Sequence, residues 1–173
     1  MTRATARPDT AEIVCRAADG PDELAVHHRI RHAVFVGEQA VFGESDVDAV
    51  DARSDVLHVL AFAGEEAVGT VRLYPLDDEG LWQGDRLAVL PGRRSAGAGA
   101  PLVRFAVATA GRAGGARMIA HVQVPNRRFF ERLGWTAVGT ETYAGLPHVA
   151  MTIDLQSAAG APAPDRRASV QDG

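Results

Sequence analysis

The residues with the clearest chemical potential form a glycine-rich loop, Pro91–Ala100, which carries Arg93 and Arg94 ahead of Gly97 and Gly99. Glycine allows a backbone to turn sharply and to come close to a ligand. The helix predicted to follow offers unpaired N–H groups and the positive end of its dipole. These features favour the binding of an anion such as a diphosphate, and the alternative is an ordinary strand-to-helix turn.

Two common phosphate-binding motifs do not fit this loop. A phosphate-loop NTPase would need a Lys-Ser or Lys-Thr pair after the last glycine, where this sequence has Ala100 and Pro101. The triple-glycine spacing of a dinucleotide-binding fold is also missing. The loop is therefore either an ordinary turn or a diphosphate site of a class other than these two.

The elements that must position this loop follow from hydrophobic periodicity. Val26, Ile30 and Val34 recur at helical spacing after Pro21, which suits a first helical turn. The predicted strands are 13–16, 56–62, 68–74, 81–90, 118–123, 135–142 and 149–155, and the predicted helices are 21–37, a second that ends near 112, and 125–133. In the second helix, the predicted inward stripe is Leu102, Val103, Ala106 and Ala110. This order predicts a mixed α/β fold, with a mostly antiparallel sheet flanked by helices.

Composition narrows the class of protein. A chain of 173 residues with a net charge of −4 suits one domain and argues against nucleic acid, which needs surplus clustered Lys and Arg. Cys15 is the only cysteine, so no disulfide can form within the chain. The first ten residues lack the apolar core of a signal peptide, and no apolar run reaches the roughly 20 residues that cross a bilayer. We expect a cytoplasmic protein with no membrane partner, a flexible segment 1–10, a folded domain 11–155 and a disordered tail 156–173.

Three segments resemble the GNAT acyltransferases. Arg94-x-x-Gly97-x-Gly99 looks like the family's acetyl-CoA loop, and Leu87–Val89 looks like the strand that pairs with the pantetheine arm. Asn126–Trp135 resembles the family's later Asn…Phe-Tyr-Glu…Gly-Phe segment. The resemblance implies the GNAT fold and acetyl-CoA as co-substrate, without a metal. The implied cofactor-binding residues are Leu87, Ala88, Val89, Arg94, Ser95, Ala96, Gly97, Ala98, Gly99, Ala100, Asn126, Phe129 and Phe130.

Four further segments resemble one branch of the family more closely. They are Arg72–Pro75, Gln83–Val89, Val122–Gln123 and Gly145–His148. They look like a bacterial nitrogen-starvation acetyltransferase branch that is associated with nitrilase gene clusters.

One position departs from the family pattern. Many members carry a tyrosine in the late helix that protonates the leaving CoA thiolate, and the matching residue here is Phe130. A phenyl ring cannot donate a proton, so Tyr143 or a water must serve, or the thiolate leaves unassisted. Loss of a general acid typically costs 10²–10⁴ in rate, which allows a slow enzyme or a pseudoenzyme.

The base must come from a small set of titratable residues. His121 matches the position of a glutamate base in some members, and histidine titrates near neutrality. His148 and Glu38 are the other candidates, and each of the three has a structural alternative: a hydrogen-bonded histidine or a solvated helix-end acid. His58 is interpreted as structural, and His27, His28 and His32 as residues of the helix surface. The acidic loop around Asp46, Asp48 and Asp51 is expected either to be solvated or to attract a cationic acceptor.

Two other functions compete with the acetyltransferase. Arg31, Phe35 and the segments 44–48 and 69–75 also resemble acyl-homoserine-lactone synthases, although the tryptophan expected after Val34-Phe35 is missing. Phe130 is compatible with a CoA-binding regulatory domain. For the acetyltransferase, the expected acceptor is a small-molecule or peptide amine, and a homodimer is compatible with the sequence.

Overall fold

A computed structural model describes residues 12–155, so the predictions for 1–10 and 156–173 lie outside the described residues. Seven strands form one sheet: β1 Ile13–Ala17, β2 Leu57–Ala63, β3 Glu66–Pro75, β4 Leu81–Val89, β5 Arg117–Gln123, β6 Thr136–Tyr143 and β7 Leu146–Asp154. The helices are α1 Gly20–Arg31, α2 Gly99–Arg112 and α3 Arg127–Arg132. The predicted mixed α/β fold and the order of its elements are confirmed. No helix in 12–155 is long and apolar enough to cross a membrane.

The sheet is antiparallel except at its centre. Its strand order is β1-β2-β3-β4-β5-β7-β6, and the one parallel pair is β4–β5. That pairing covers only Leu81–Gln83 against Arg117–Ile119, after which the two strands part. On the other side of β4, Thr70 pairs with Ala88 and Arg72 with Asp85, so β4 has one extra residue there. This β-bulge includes Arg86, whose φ is +51°, and bulges bend a strand.

Helices cover both faces of the sheet. The predicted stripe of α2 (Leu102, Val103, Ala106 and Ala110) is buried against one face, in a core that includes Met118. On the other face Ile30, Val34 and Phe35 pack on Leu60 and Ala88. The predicted first helix is only partly right, because α1 gives way to a π-helical segment, His32–Glu38. That segment ends beside the gap between β4 and β5 and carries Glu38 to its edge.

The three central aspartates of the acidic loop pair with arginines, which corrects the expectation of a simply solvated loop and leaves little unpaired negative charge for a cationic acceptor. The side chains of Asp46 and Asp51 are nearly closed to solvent, whereas that of Asp48 is 38% exposed. Asp46 accepts hydrogen bonds from Arg31 Nε at 2.6 Å and from Arg86 Nε at 3.1 Å. Asp48 binds Arg72 Nη1 at 2.6 Å, and Asp51 binds Arg31 Nη1 at 2.7 Å. Arg31 and Arg72 are wholly buried, and Arg86 is nearly so. The ionic cluster of Arg31, Arg72, Arg86, Asp46, Asp48, Asp51 and Asp85 therefore joins the loop to α1, β3 and β4.

Paired charges explain how these groups tolerate burial. Burial alone would raise the pKa of Asp51, but hydrogen bonds from His58 and Arg31 outweigh it and hold the pKa well below its usual range. Asp48 has a lowered pKa for a similar reason, because Arg72 overcomes the effect of burial. A buried pair is costly to break, since the remaining partner is an uncompensated charge in a poor solvent.

The histidines of α1 and of the π-helical segment do not all lie on the helix surface. His27 is completely buried, which corrects its assignment, and His28 is half-buried, whereas His32 is exposed. His27 Nε2 lies 3.3 Å from the Val71 carbonyl oxygen. His58 is structural as predicted, with Nε2 3.0 Å from Asp51 Oδ1.

The same region brings three metal-ligating side chains together. Ligand atoms of His28, Asp51 and His58 lie within 4.8 Å of one another. The Asp51 carboxylate already accepts hydrogen bonds from Arg31 and lies 3.1 Å from Arg72 Nη1. Two buried cations at that carboxylate oppose a further positive charge, so we assign no metal to this cluster.

Replacing Asp46 by Ala should destabilise the protein by about 3–5 kcal/mol, the usual cost of breaking a buried ion pair. The variant leaves Arg31 and Arg86 without that carboxylate in a buried site. Denaturant unfolding monitored by circular dichroism measures the change. Asp55→Ala is the matched control, because Asp55 pairs with Arg53 on the surface, and its midpoint should hardly move. Equal midpoints for the two variants would contradict the structural role of the cluster.

Stability should fall when the pH drops from 7 to 5, and His27 should cause part of the fall. Burial, reinforced by the positive charge of Arg31, lowers the pKa of His27 to about 3. In the unfolded chain His27 binds a proton at its ordinary pKa of about 6.5. The contribution of neutral His27 to the free energy of unfolding is therefore complete above pH 6.5 and is lost as the pH falls toward 3. By pH 5 this amounts to about 2 kcal/mol.

His27→Gln removes that titration but keeps an amide able to donate to the Val71 carbonyl. Its loss of unfolding free energy between pH 7 and 5 should be clearly smaller than that of the unmodified protein. The carboxylates with lowered pKa act at more acidic pH, where their unfolded forms titrate. Identical pH dependence in both proteins would show that His27 is protonated equally in the folded and unfolded states.

Candidate active site

The parting of β4 and β5 opens the sheet into a cleft with two adjoining cavities. We call the first the loop groove, because the glycine-rich loop forms one of its walls. The groove is lined by Val34, Glu38, Gln39, Leu87, Ala88, Val89, Arg94, Gly97, Gly99, Ala100, Gln123, Pro125, Asn126, Phe129 and Phe130. Most of the predicted cofactor-binding residues therefore meet in one groove. Ser95, Ala96 and Ala98 do not belong to its lining.

The two glycines of the loop serve different physical purposes. After a short 3₁₀ helix, Pro91–Ala96, Gly97 adopts a left-handed conformation with φ +73°, and space around it is open. Gly99 has no positive φ, but an added Cβ would lie 3.3 Å from Phe129 Cζ. The first glycine is thus needed for the turn, and the second for the close approach of α3.

The N-terminus of α2 faces this groove without a side-chain cap. Its N-cap residue is Ala98, which offers no hydrogen-bonding side chain, and the first helical residues are Gly99 and Ala100. Uncapped N–H groups and the helix dipole favour an anion at this position. Gly99 and Ala100 line the groove, so a diphosphate lying there can accept hydrogen bonds from the backbone.

Arg94 supplies charge to the groove but already has a partner. Its Nη2 donates to Glu38 Oε1, and about half of the Arg94 side chain is exposed. Glu38 lies at the end of the π-helical segment and lines the loop groove. Arg93 turns the other way and pairs with Glu66 at 2.6 Å.

The second cavity, which we call the inner cavity, lies beside the loop groove and reaches into the sheet. Its polar wall includes Gln39, Asp85, Arg86, His121, Gln123, Tyr143 and His148. His121, Tyr143 and His148, three of the four predicted catalytic residues, therefore share one cavity. Glu38 does not line it, and its carboxylate faces Arg94.

His121 is held by a carboxylate that sequence reasoning did not identify. Its Nδ1 contacts Glu141 Oε1, and its ring stacks on Tyr143 at 4.5 Å with an interplanar angle of 4°. On the intervening strand, Ala150 pairs with His121, and its small side chain leaves room for this contact. A proton held between Nδ1 and the carboxylate leaves Nε2 with its lone pair, the tautomer that a base needs.

His148 has a fixed orientation of a different kind. It is buried, its ring meets Tyr143 edge-on at 5.4 Å, and its Nδ1 lies 2.9 Å from the Leu146 carbonyl oxygen. That carbonyl can only accept, so Nδ1 carries a proton, and in the neutral imidazole Nε2 is the nitrogen with the lone pair. His121 and His148 thus offer two imidazole nitrogens to one cavity.

The two cavities meet at a small set of shared residues. Gln39, Leu87, Gln123, Asn126 and Phe130 line both. Gln123 Nε2 donates to Gln39 Oε1 at 2.9 Å, which links β5 to the end of the π-helical segment across this junction. Phe130 is buried here against Phe129 and Trp135. A ligand that extends from the loop groove into the inner cavity must pass this point.

The sequence matches one protein family and two relatives from Bacillus subtilis. Residues 27–135 match the model of the acetyltransferase (GNAT) family. The chain is 29% identical to the Bacillus subtilis N-acetyltransferase YjcF over 139 residues, covering 79% of this chain and 96% of that one. It is 30% identical over 138 residues to a second B. subtilis protein named as an acetyltransferase, covering 79% and 92% of the two chains.

A solved structure shares this fold over nearly the whole length of the solved chain. The crystal structure of an acyl-CoA N-acyltransferase from Pseudomonas aeruginosa superposes with a TM-score of 0.68 at 25% identity. The match covers 82% of this chain and 98% of that one.

Gly97→Val should weaken CoA binding by about five- to thirtyfold, measured by titration calorimetry. A left-handed conformation costs a residue with a Cβ roughly 1–2 kcal/mol, and a β-branched side chain is the least tolerant. The loop would relax and withdraw its N–H groups. Gly97→Asn is the control, because asparagine tolerates this conformation and the space around Gly97 is open; its affinity should stay within about threefold. Unchanged binding by the valine variant would reduce the loop to an ordinary turn.

Proposed function

We propose that this chain, which belongs to the GNAT acetyltransferase family, moves an acetyl group from acetyl-CoA directly to a primary amine. The family makes the chain an acyl-CoA N-acyltransferase. The acetyl group, the direct transfer and the roles of individual residues are our proposal. It rests above all on the junction where the loop groove meets the cavity of His121.

The loop groove is the place proposed for CoA. The diphosphate would lie at the uncapped N-terminus of α2 beside Arg94, which would have to leave Glu38 to contact it. The pantetheine arm would follow Leu87–Val89, where β4 has no partner strand on the β5 side. This path brings the thioester to the junction at Gln123 and Asn126.

The reaction requires a neutral amine next to the thioester carbon. In the inner cavity, His121 Nε2 is the proposed base, acting directly or through one water. The amine nitrogen forms a bond to the carbonyl carbon, the carbon–sulfur bond breaks, and the amine proton passes to His121. The sulfur leaves as a thiolate with the electron pair of the broken bond.

Glu141 is proposed as a positioning residue rather than a catalytic one. It holds the proton of His121 on Nδ1 and fixes the plane of the ring, as carboxylates do for catalytic histidines on other folds. Tyr143 supports the same ring by stacking. The proton for the thiolate is proposed to come from Tyr143 or from a water, because Phe130 has none to give.

The acceptor and the setting of the reaction complete the proposal. We propose that the acceptor is a small-molecule or peptide amine. We propose further that the enzyme is cytoplasmic, has no nucleic-acid partner and forms a homodimer. Membership of the nitrogen-starvation branch stays a prediction, as do the folded domain 11–155 and its two terminal segments.

The direct test is a screen of primary amines with acetyl-CoA, measured by release of free CoA thiol and by mass spectrometry of the product. An acetylated amine is the expected result. Binding of CoA without turnover on any amine would favour the regulatory domain. Acyl transfer to S-adenosylmethionine with formation of a lactone would favour the acyl-homoserine-lactone synthase.

With the acceptor found in that screen, His121→Gln should lower kcat by about 10²–10⁴, the usual contribution of a general base. Glu141→Gln should lower kcat by a smaller factor than His121→Gln, because the base is still present but an amide no longer enforces one tautomer. The KM for acetyl-CoA should stay unchanged in both variants.

Glu131→Gln is the matched control, since Glu131 is exposed and pairs only with Arg127 on α3. Its kcat and its KM for acetyl-CoA should equal those of the unmodified protein. Full activity of Glu141→Gln would remove the positioning role, and full activity of His121→Gln would move the base to His148.

A further inference from the structure

We propose that the inner cavity contains an acyl chamber on the α2 side of the sheet, which accepts acyl chains longer than acetyl, such as butyryl. The inference rests on the proposed CoA site and concerns its donor. The argument depends on how the sheet divides the cavity into two walls of opposite chemistry.

The two walls follow from the alternation of side chains along β5. His121 and Gln123 point to the face of the π-helical segment, as the hydrogen bond from Gln123 to Gln39 requires. Met118, Ala120 and Val122 point to the other face, into the core shared with α2. All five residues line the same cavity, so the cavity passes through the gap between the strands.

The far wall of the chamber is apolar and built partly from small residues. Val103 and Ala106 of α2 close it, with Met118 and Trp135 at the sides. Gly84 of β4 also lines it, and an added Cβ there would come within 3.2 Å of Met118 Sδ. The residues that line the α2 side carry no charge, whereas Arg86 and the histidines belong to the other wall.

Continuity with the loop groove identifies the occupant. Leu87 and Phe130 line both cavities and also pack into the α2-side core. A thioester at the junction can therefore direct its acyl chain into the chamber while the amine approaches from His121. The whole inner cavity, including the part beside His121, offers about 120 Å³, whereas one water needs about 10–15 Å³. It therefore has room for an amine and for an acyl group larger than acetyl.

Water in an apolar cavity of this kind would find few hydrogen-bond partners. Apolar cavities tend to stay dry and to bind apolar ligands, and each buried methylene contributes about 0.8 kcal/mol. That value corresponds to about a fourfold gain in affinity for each methylene that enters the chamber.

The test is titration calorimetry of the full chain with CoA, acetyl-CoA, butyryl-CoA and hexanoyl-CoA. Affinity should rise from acetyl-CoA to butyryl-CoA by about tenfold or more. Ala106→Leu should abolish this rise, because its side chain fills the chamber, while CoA itself binds as before. Val103→Ala should extend the rise to hexanoyl-CoA or beyond. Ala108→Leu, on the same helix but outside the lining, should keep the rise intact.

The outcomes separate the two proposals. Equal affinity for all four ligands would overturn the chamber but leave the CoA site standing, because CoA would still bind. No binding of any ligand would overturn the proposed function itself. If affinity still rises from acetyl-CoA to butyryl-CoA in Ala106→Leu, while CoA binds normally, the acyl chain must lie elsewhere. That result would also overturn the chamber.

Discussion

The site depends on the early parting of β4 and β5. Two neighbouring parallel strands normally use their backbone groups on each other, yet here only three residue pairs do so. Beyond Gln83 the facing edges are free to bind a ligand. A polar peptide-like chain such as pantetheine can satisfy backbone groups that would otherwise remain unpaired. Without this gap, the strand edge at Leu87–Val89 would be paired and closed to a ligand that extends from the loop groove into the inner cavity.

The ionic cluster binds β4 at Asp85 and Arg86, next to the point where β4 and β5 part. Arg86 lies in the bulge that bends β4, with a backbone conformation unusual for a residue that has a side chain. Its guanidinium binds Asp46 and Asp48 and lies 4.6 Å from the centre of the Phe42 ring. Arg72, on the neighbouring strand, holds Asp48 and Asp85 together. Compared with well-packed apolar residues, such clusters add little stability, although removing one partner is costly. Here the cluster fixes one path of the acidic loop beside β4.

The sequence predicted local features better than contacts between distant segments. Turn chemistry, periodicity and the resemblance located the loop at Gly97 and the strand at Leu87–Val89. The fate of Asp46 could not be predicted, because its partners Arg31 and Arg86 lie 15 and 40 positions away. Glu141 was missed for a related reason: its contact with His121 crosses β7, and the register of β6 shifts between Ala137 and Gly139. One signal was present, since Glu141 is an acid within a predicted strand and two residues before Tyr143.

A crystal structure of the complex with a non-hydrolysable acetyl-CoA analogue tests the central claim most directly. The account predicts the diphosphate at the N-terminus of α2, the pantetheine arm along Leu87–Val89, and the thioester-equivalent carbonyl at the junction between Gln123 and Phe130. Its acyl methyl should point toward Ala106. His121 Nε2 should lie close enough to the carbonyl carbon for the nitrogen of an acceptor amine, or one water, to fit between them. An analogue bound outside the gap between β4 and β5, or with its acyl group directed away from His121, would contradict the account.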